Sequence, residues 1–368
     1  MPVRRAAGMP TASQPRATSS GRDVSLSWPA ATMGDGTAVA GYVVRRYSPA
    51  GLPQVVASNC GGTVAGLGCT EHDVPAGTWR YTVSTILGLW SGGESSAATV
   101  DVATGTVVAS AVGKWDGGAT GYVRKGWVYY VYASVAGDPL SVTADVGSLT
   151  SGSAAVPLVA GTYPAGGTTY NYRSAMLVSD STLAEGTYSY SVTPVAGVSR
   201  TFGVVVDNTP PAGADVDTAN GGATPGKAEQ GDTVTFSFTE PIEAASVLAG
   251  WDGSSTAVVV KIKNRGSGDT MTVWSADSSQ QLPLGSLALN ADVVSADATF
   301  GSSAVPSTMV ATGSAVTVRL GALAGGAATL ATSTQPMTWQ PSSSVIDRAG
   351  NACLTAAVTE SGTPDLPF

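Results

Sequence analysis

The sequence predicts an all-β chain of several antiparallel sandwiches in series, on three observations. Hydrophobic residues make up 43% of the chain. Most of that share is small Ala and Val, and with 46 Gly the mixture favours short strands and turns over long helices. Segments such as Val24-Ser25-Leu26-Ser27-Trp28 alternate apolar and polar residues, the period of a strand with one buried face. A length of 368 residues exceeds one small sandwich and leaves room for two or three separate cores.

Charge and hydropathy narrow the function classes. Charged residues are only 12% of the chain and the net charge is −8, so the basic stripe that a phosphate backbone requires is missing and no nucleic-acid partner is expected. An anionic membrane surface would repel the chain, and no run of about 18 apolar residues is present, so no membrane insertion is expected. Residues 1–22 carry Arg4 and Arg5 followed by Ala, Gly, Pro, Ser and Thr. They read as a disordered leader and not as a secretory signal, which needs an apolar stretch after the basic residues. Export would then imply that this start is misplaced or that the chain is part of something longer.

The elements follow in order. Val24, Leu26 and Trp28 share one face of a first strand that Pro29 ends; GYVVRRY places Tyr42 and Val44 on one face, and QVVAS follows. Cys60 and Cys69 bracket the Gly-rich stretch NCGGTVAGLGC. A disulfide there would close a loop worth roughly 2–3 kcal/mol in the chain-entropy model. Metal binding is the poorer alternative, because only His72 stands nearby and a structural zinc site needs four ligands. Cys353 has no evident partner and reads as a small core residue. The segment Gly77-Thr78-Trp79-Arg80-Tyr81-Thr82-Val83 is a further strand, and Gly186-Thr187-Tyr188-Ser189-Tyr190-Ser191-Val192 reproduces its spacing. Two modules therefore share a strand plan. GWVYYVYASV, PLSVTADV and TYNYRSAMLV supply strands between them, and TFGVVVDNTPP closes the unit, its two prolines stiffening the joint. GDTVTFSFTEPIEAASVLAGW opens a last unit that closes on TWQPSSSVIDRAGN, with inserted hairpins or loops expected between about 265 and 335.

The order around Trp28, Tyr42, Val44 and residues 79–83 resembles a fibronectin type III domain over residues 23–103. One departure is Trp79, which stands where many members carry a corner tyrosine, leaving that corner hydrogen bond open. Residues 104–207 resemble a bacterial immunoglobulin-like domain. Residues 208–368, with TEPI and the Asp347–Asn351 turn, are similar to the immunoglobulin-like domains of S-layer and other bacterial surface proteins. These resemblances imply three tandem sandwiches with bends near 104 and 208–212. They carry no shared active site over to this chain.

Candidate chemistry is sparse. The single histidine, His72 in CTEHDVPAG, leaves little room for hydrolytic triads or multi-histidine metal sites, which argues against an enzyme. Glu240 with Glu243, or Asp215 with Asp217, could in principle act as paired carboxylates, but they read as a strand-end turn and as solvated linker residues. Calcium is the more plausible ion, with Asp207, Asn208, Asp215 and Asp217 grouped around one joint; no Asp-x-Asp-x-Asp-Gly loop accompanies them, and no other cofactor is expected. Of the 8 Trp, Trp28 and Trp79 fit core positions, whereas Trp90, Trp115 and Trp251 sit among turn residues, where a ring can stack on a sugar. The Gly-rich run Gly221–Lys227 lacks the spacing of a phosphate loop. The expectation is a non-catalytic secreted or cell-surface modular protein for display, spacing or adhesion, partnered by cell-wall or extracellular polysaccharide or by a surface protein. The alternative is a carbohydrate-binding accessory array of a polysaccharide-degrading enzyme.

Overall fold

The computed structural model describes residues 4–5, 8–57, 59–114, 119–195, 197–332, 334–362 and 366–368. Strand makes up 49% and helix 1% of the described residues, so the fold is all-β. The sheets enclose three large hydrophobic clusters, each drawn from its own stretch of sequence.

In the first module, the strand Gly77–Leu87 pairs with Gly41–Tyr47 on one side and with Ala98–Val102 and Trp90–Ser91 on the other. A three-stranded sheet of Arg16–Ser20, Asp23–Ser27 and Gly68–Glu71 packs opposite. Alternation works as read: Val24, Leu26, Trp28, Tyr42, Val44, Tyr81 and Val83 are all buried, and the Trp28 and Tyr42 rings stand 5.5 Å apart. Residues 8–22 are not a disordered leader. Arg16–Ser20 hydrogen-bonds antiparallel to Asp23–Ser27, Ala12 is buried in the core, and the Thr85 hydroxyl donates to the Pro10 carbonyl. The segment is held through main-chain bonds and small side chains, which leave no hydropathy signal in the sequence.

The corner left open by Trp79 is closed by that residue itself, whose indole N–H donates to the Pro75 carbonyl at 2.7 Å. Beneath it the buried Arg46 and Glu71 pair at 2.9 Å. Glu71 also accepts from the Tyr81 hydroxyl and the Ala57 amide, so the buried charge is bonded on several sides. Cys60 and Cys69 form a disulfide that ties the loop after Pro53–Gln54 to the strand Gly68–Glu71.

The second module is one curled sheet of nine strands, running from Thr106–Gly113 through Val128–Ala136, Thr168–Ser174, Val156–Ala165, Val142–Asp145, Gly186–Pro194 and Arg200–Val206 to Tyr122–Val123, with Leu177–Val178 paired to Val128–Ala136. The repeated Gly-Thr device has a backbone cause. Gly77 and Gly186 open equivalent strands at φ 136° and 144°, a region that side-chain-bearing residues rarely enter. Each glycine is also paired with the last residue of its neighbouring strand, Val102 and Val206. Four residues on, Tyr81 and Tyr190 are both buried.

The third module is an 11-stranded assembly. Its long middle stretch forms the strands Thr270–Ser275, Ser286–Ala288, Val294–Phe300, Ser307–Thr312, Ala315–Arg319 and Leu323–Ala328. Trp339 is fully buried at its centre, with its ring 5.2 Å from Phe236 and 5.0 Å from Phe238 and its N–H on the Leu284 carbonyl. Cys353 lies in this core, where burial pushes its thiol up to about 11.

Two outcomes follow. Replacing Cys60 and Cys69 by Ala should lower the stability of the first module by about 2–3 kcal/mol in urea unfolding followed by tryptophan fluorescence. Burial pushes the Tyr129 hydroxyl up to about 12, above the value near 10 of an unfolded tyrosine. Its contribution is therefore intact below pH ~10 and lost as pH rises towards 12. Melting temperature measured from pH 8 to 12 should fall over that window, and less steeply in Tyr129→Phe.

Candidate functional site at the joint of the second and third modules

The nominated residues are dispersed. Trp90 is 45% exposed on the first module. Trp115 lies outside the described residues. Trp251 is a correction: it is buried against the third core, and its indole N–H donates to the Ser254 carbonyl, because the turn after the helix Ala244–Val247 folds the ring inward. Among the described residues, the exposed Trp90 and the buried Trp251 share no platform. Trp127, which the pattern did not single out, is 41% exposed and carries the Arg124 guanidinium 3.7 Å from its ring centre. His72 is half exposed and pairs with Asp23.

The four residues nominated for calcium also separate. Asp215 and Asp217 are not in a linker: the strand Gly213–Ala219 begins one residue beyond the two prolines, and its period of two places both carboxylates away from the core, into which Val216 and Thr218 point. Asp215 accepts from the amide and hydroxyl of Ser361. Asn208 is occupied within the second module, accepting from the Lys125 amide and donating to the Leu183 carbonyl.

Asp207 alone of the four stays at a charged site, with partners from distant sequence. It follows the strand Arg200–Val206, where its amide donates to the Val123 carbonyl. Glu240 follows the strand Thr233–Phe238, and Asp347 opens the turn Asp347–Asn351. One carboxylate oxygen from each of Asp207, Glu240 and Asp347 lies within 4.8 Å of the other two. Asp347 is fully buried; its Oδ1 accepts from the amides of Gly350 and Asn351, and its Oδ2 from the Asn351 side chain. Oε1 of Glu240 is buried with no hydrogen-bond partner. Burial, then the neighbouring Asp207 and Asp347 carboxylates, push the Glu240 carboxyl up to about 7.

Direct bonds join the two modules around this cluster. The Asn351 side chain donates to the Asp207 carbonyl at 3.0 Å, Arg348 donates to the Tyr122 hydroxyl at 3.3 Å, and the Ala119 amide donates to Glu243 at 3.3 Å. The Lys114 ammonium is 4.0 Å from Glu243. Gly350 sits so close to Lys114 and Trp127 that an added Cβ would meet both at 3.6 Å. The expected bend at 208–212 is therefore a bonded joint. Between the first and second modules, a Cβ added at Gly21 would stand 3.2 Å from the Asp138 Cβ.

Chemically, three carboxylates this close, one buried and two partly buried, repel one another when ionised, and a proton on Glu240 or a neighbouring cation such as Arg124, which feels the Asp347 charge, offsets that repulsion. Their spacing is tighter than that of the carboxyl pairs that flank a glycosidic bond, and oxygen donors of this kind suit a hard cation.

No protein-family model matches the chain, and no curated protein matches it. Solved structures that resemble it are tandem fibronectin or immunoglobulin-like domains. The FN1–FN3 domains of chicken CNTN1 are 9% identical over 89% of this chain and 100% of that one, with a TM-score of 0.26. Titin domains A168–A170 are 12% identical over 96% and 97%, with a TM-score of 0.27. Domains 4 and 5 of the S-layer protein SbsC are 18% identical over 50% and 80%, with a TM-score of 0.18. Among the described residues no helix is long and apolar enough to cross a membrane.

The joint makes its own prediction. Asn351→Ala leaves the Asp207 carbonyl and one oxygen of the buried Asp347 without their donor, and should cost about 1–3 kcal/mol in chemical denaturation of the whole chain.

Proposed function

We propose that the chain is a non-catalytic modular protein of the cell surface or extracellular space that spaces, displays or attaches other elements. In this reading its second and third modules act as one docked unit. The observation that carries it is the set of bonds from Asn351, Arg348 and Glu243 into the second module, since an array that holds its ends apart needs joints that resist bending. Polysaccharide or a surface protein is the partner class this reading assigns.

A calcium ion belongs to the same reading, with Asp207, Glu240 and Asp347 in place of the wider set grouped from the sequence. The orphaned Glu240 Oε1 and the all-oxygen donor set fit a hard cation. Bound there, calcium would offset the charge of the buried Asp347 and the partly buried Asp207 and Glu240 and link the end of the second module to two segments of the third. The role as an accessory array of a polysaccharide-degrading enzyme draws, among the described residues, on the exposed rings of Trp90 and Trp127.

Thermal unfolding with millimolar calcium against EGTA tests the cation. A hundredfold excess over Kd should stabilise the chain by about 2.7 kcal/mol. Glu240→Gln removes one of three crowded charges, so it should raise stability in EGTA while abolishing the calcium response. An unchanged melting temperature in calcium would remove the ion from the joint. Small-angle scattering of the whole chain should show the same inter-module distances across ionic strengths, and release of reducing sugar from any polysaccharide would overturn the non-catalytic reading.

A further inference from the structure

Beside the carboxylate cluster, an open cleft of about 380 Å³ lies between the second and third modules. Its walls come from both. The second module contributes Thr120, Tyr122 and the hairpin turn at Gly166; the third contributes Glu243, Asp252 and Arg348. The volume is within the range of small-ligand sites, and the sequence builds each wall for a local reason.

Gly166 and Gly167, at φ 54° and 74°, form the two-residue turn between Val156–Ala165 and Thr168–Ser174. Two consecutive left-handed residues match the twist of a tight hairpin. A Cβ on Gly166 would stand 2.7 Å from the Thr120 hydroxyl, so the bare glycine lets this lip sit close over the cleft wall. Opposite, Gly250 and Gly253 bracket a turn at φ 76° and 95° that sends Trp251 into the core and leaves Asp252 exposed. Asp252 Oδ1 accepts from the amide and hydroxyl of Ser254, which fixes the carboxylate in place. Arg348 is exposed, gives one N–H to the Tyr122 hydroxyl and lies 5.7 Å from that ring; its other donors meet no partner among the described residues.

The chemistry of these groups selects a ligand class. With Lys114 4.0 Å from Glu243, the two carboxylates of the lining stand against two cations among the described residues, so the cleft carries no net positive charge to select phosphates or acidic sugars. Its lining is mostly polar and open, which disfavours an apolar ligand. Neighbouring hydroxyls of a neutral sugar can donate to Asp252 and Glu243 while accepting from Arg348, and the Tyr122 ring offers an apolar face for the sugar ring. We infer that this inter-module cleft is a binding subsite for one or two rings of a neutral saccharide, with Arg348, Asp252 and Tyr122 as its contacts. The inference deepens the attachment reading by naming its partner class and placing the contact at the joint, away from Trp90.

Calorimetric titration of the whole chain with glucose, mannose, N-acetylglucosamine, cellobiose, maltose and chitobiose tests it. The expected result is saturable binding of at least one, weakened tenfold or more in both Arg348→Ala and Asp252→Ala and unchanged in Trp90→Ala. Asp252 takes no part in the bonds across the joint, so Asp252→Ala should keep the scattering profile and the calcium stabilisation of the parent chain. Binding of none of the six, binding that survives both cleft substitutions, loss of binding in Trp90→Ala, or preference for a uronic-acid oligomer would each overturn the cleft. The spacer reading fails separately, on the scattering and calcium measurements.

Discussion

The joint between the second and third modules depends on how a carboxylate with no access to water is satisfied. Asp347 has zero exposure, and an ionised group there is tolerated only when surrounded by donors or counter-charge. The turn it opens supplies two amides and the Asn351 side chain. The same Asn351 amide group reaches across to the Asp207 carbonyl, so the local need of one buried oxygen fixes the place of the neighbouring module. Arg348 and Gly350 belong to that turn as well, and through them Tyr122, Lys114 and Trp127 are brought against it.

The same device recurs throughout the fold. Asp232, also at zero exposure, gathers the amides of Gly221, Gly222 and Glu229. Asp269 gathers those of Arg265, Val293 and Val294. Glu71 does comparable work in the first module with Arg46, Tyr81 and the Ala57 amide. A chain with few large apolar residues and long irregular connections has many main-chain donors to satisfy. Acidic side chains that accept several at once are one physical answer. Part of the acidic surplus, 26 Asp and Glu against 18 Lys and Arg, therefore lies inside the modules instead of on a solvated face.

Period-two alternation made the strands legible: Trp28, Tyr42, Tyr81 and Phe236 fall on buried faces where the pattern puts them. The segment 8–20 was not legible, because Ala12 and Ala17 carry too little hydropathy to reveal that they pack against a core. Trp251 misled for a related reason. Turn residues around an aromatic do not say whether the turn folds outward or inward, and here Trp251 Nε1 finds the Ser254 carbonyl inside. Of the cation candidates, Asp207 was visible as the end of a Val-rich strand before two prolines. Glu240 and Asp347 were each visible within a turn motif, but 107 residues separate them in sequence (347 − 240), and no local pattern couples them.

By itself the sequence determined the all-β class, the repeated Gly-Thr strand and the inward faces, because side-chain periodicity and the φ demands of glycine are local properties of the chain. Tertiary structure alone decided which carboxylates meet, which tryptophans stay exposed and where a cleft opens. Those depend on how one module docks on another. That docking is set by hydrogen bonds such as Asn351 to Asp207 between residues that no spacing rule connects.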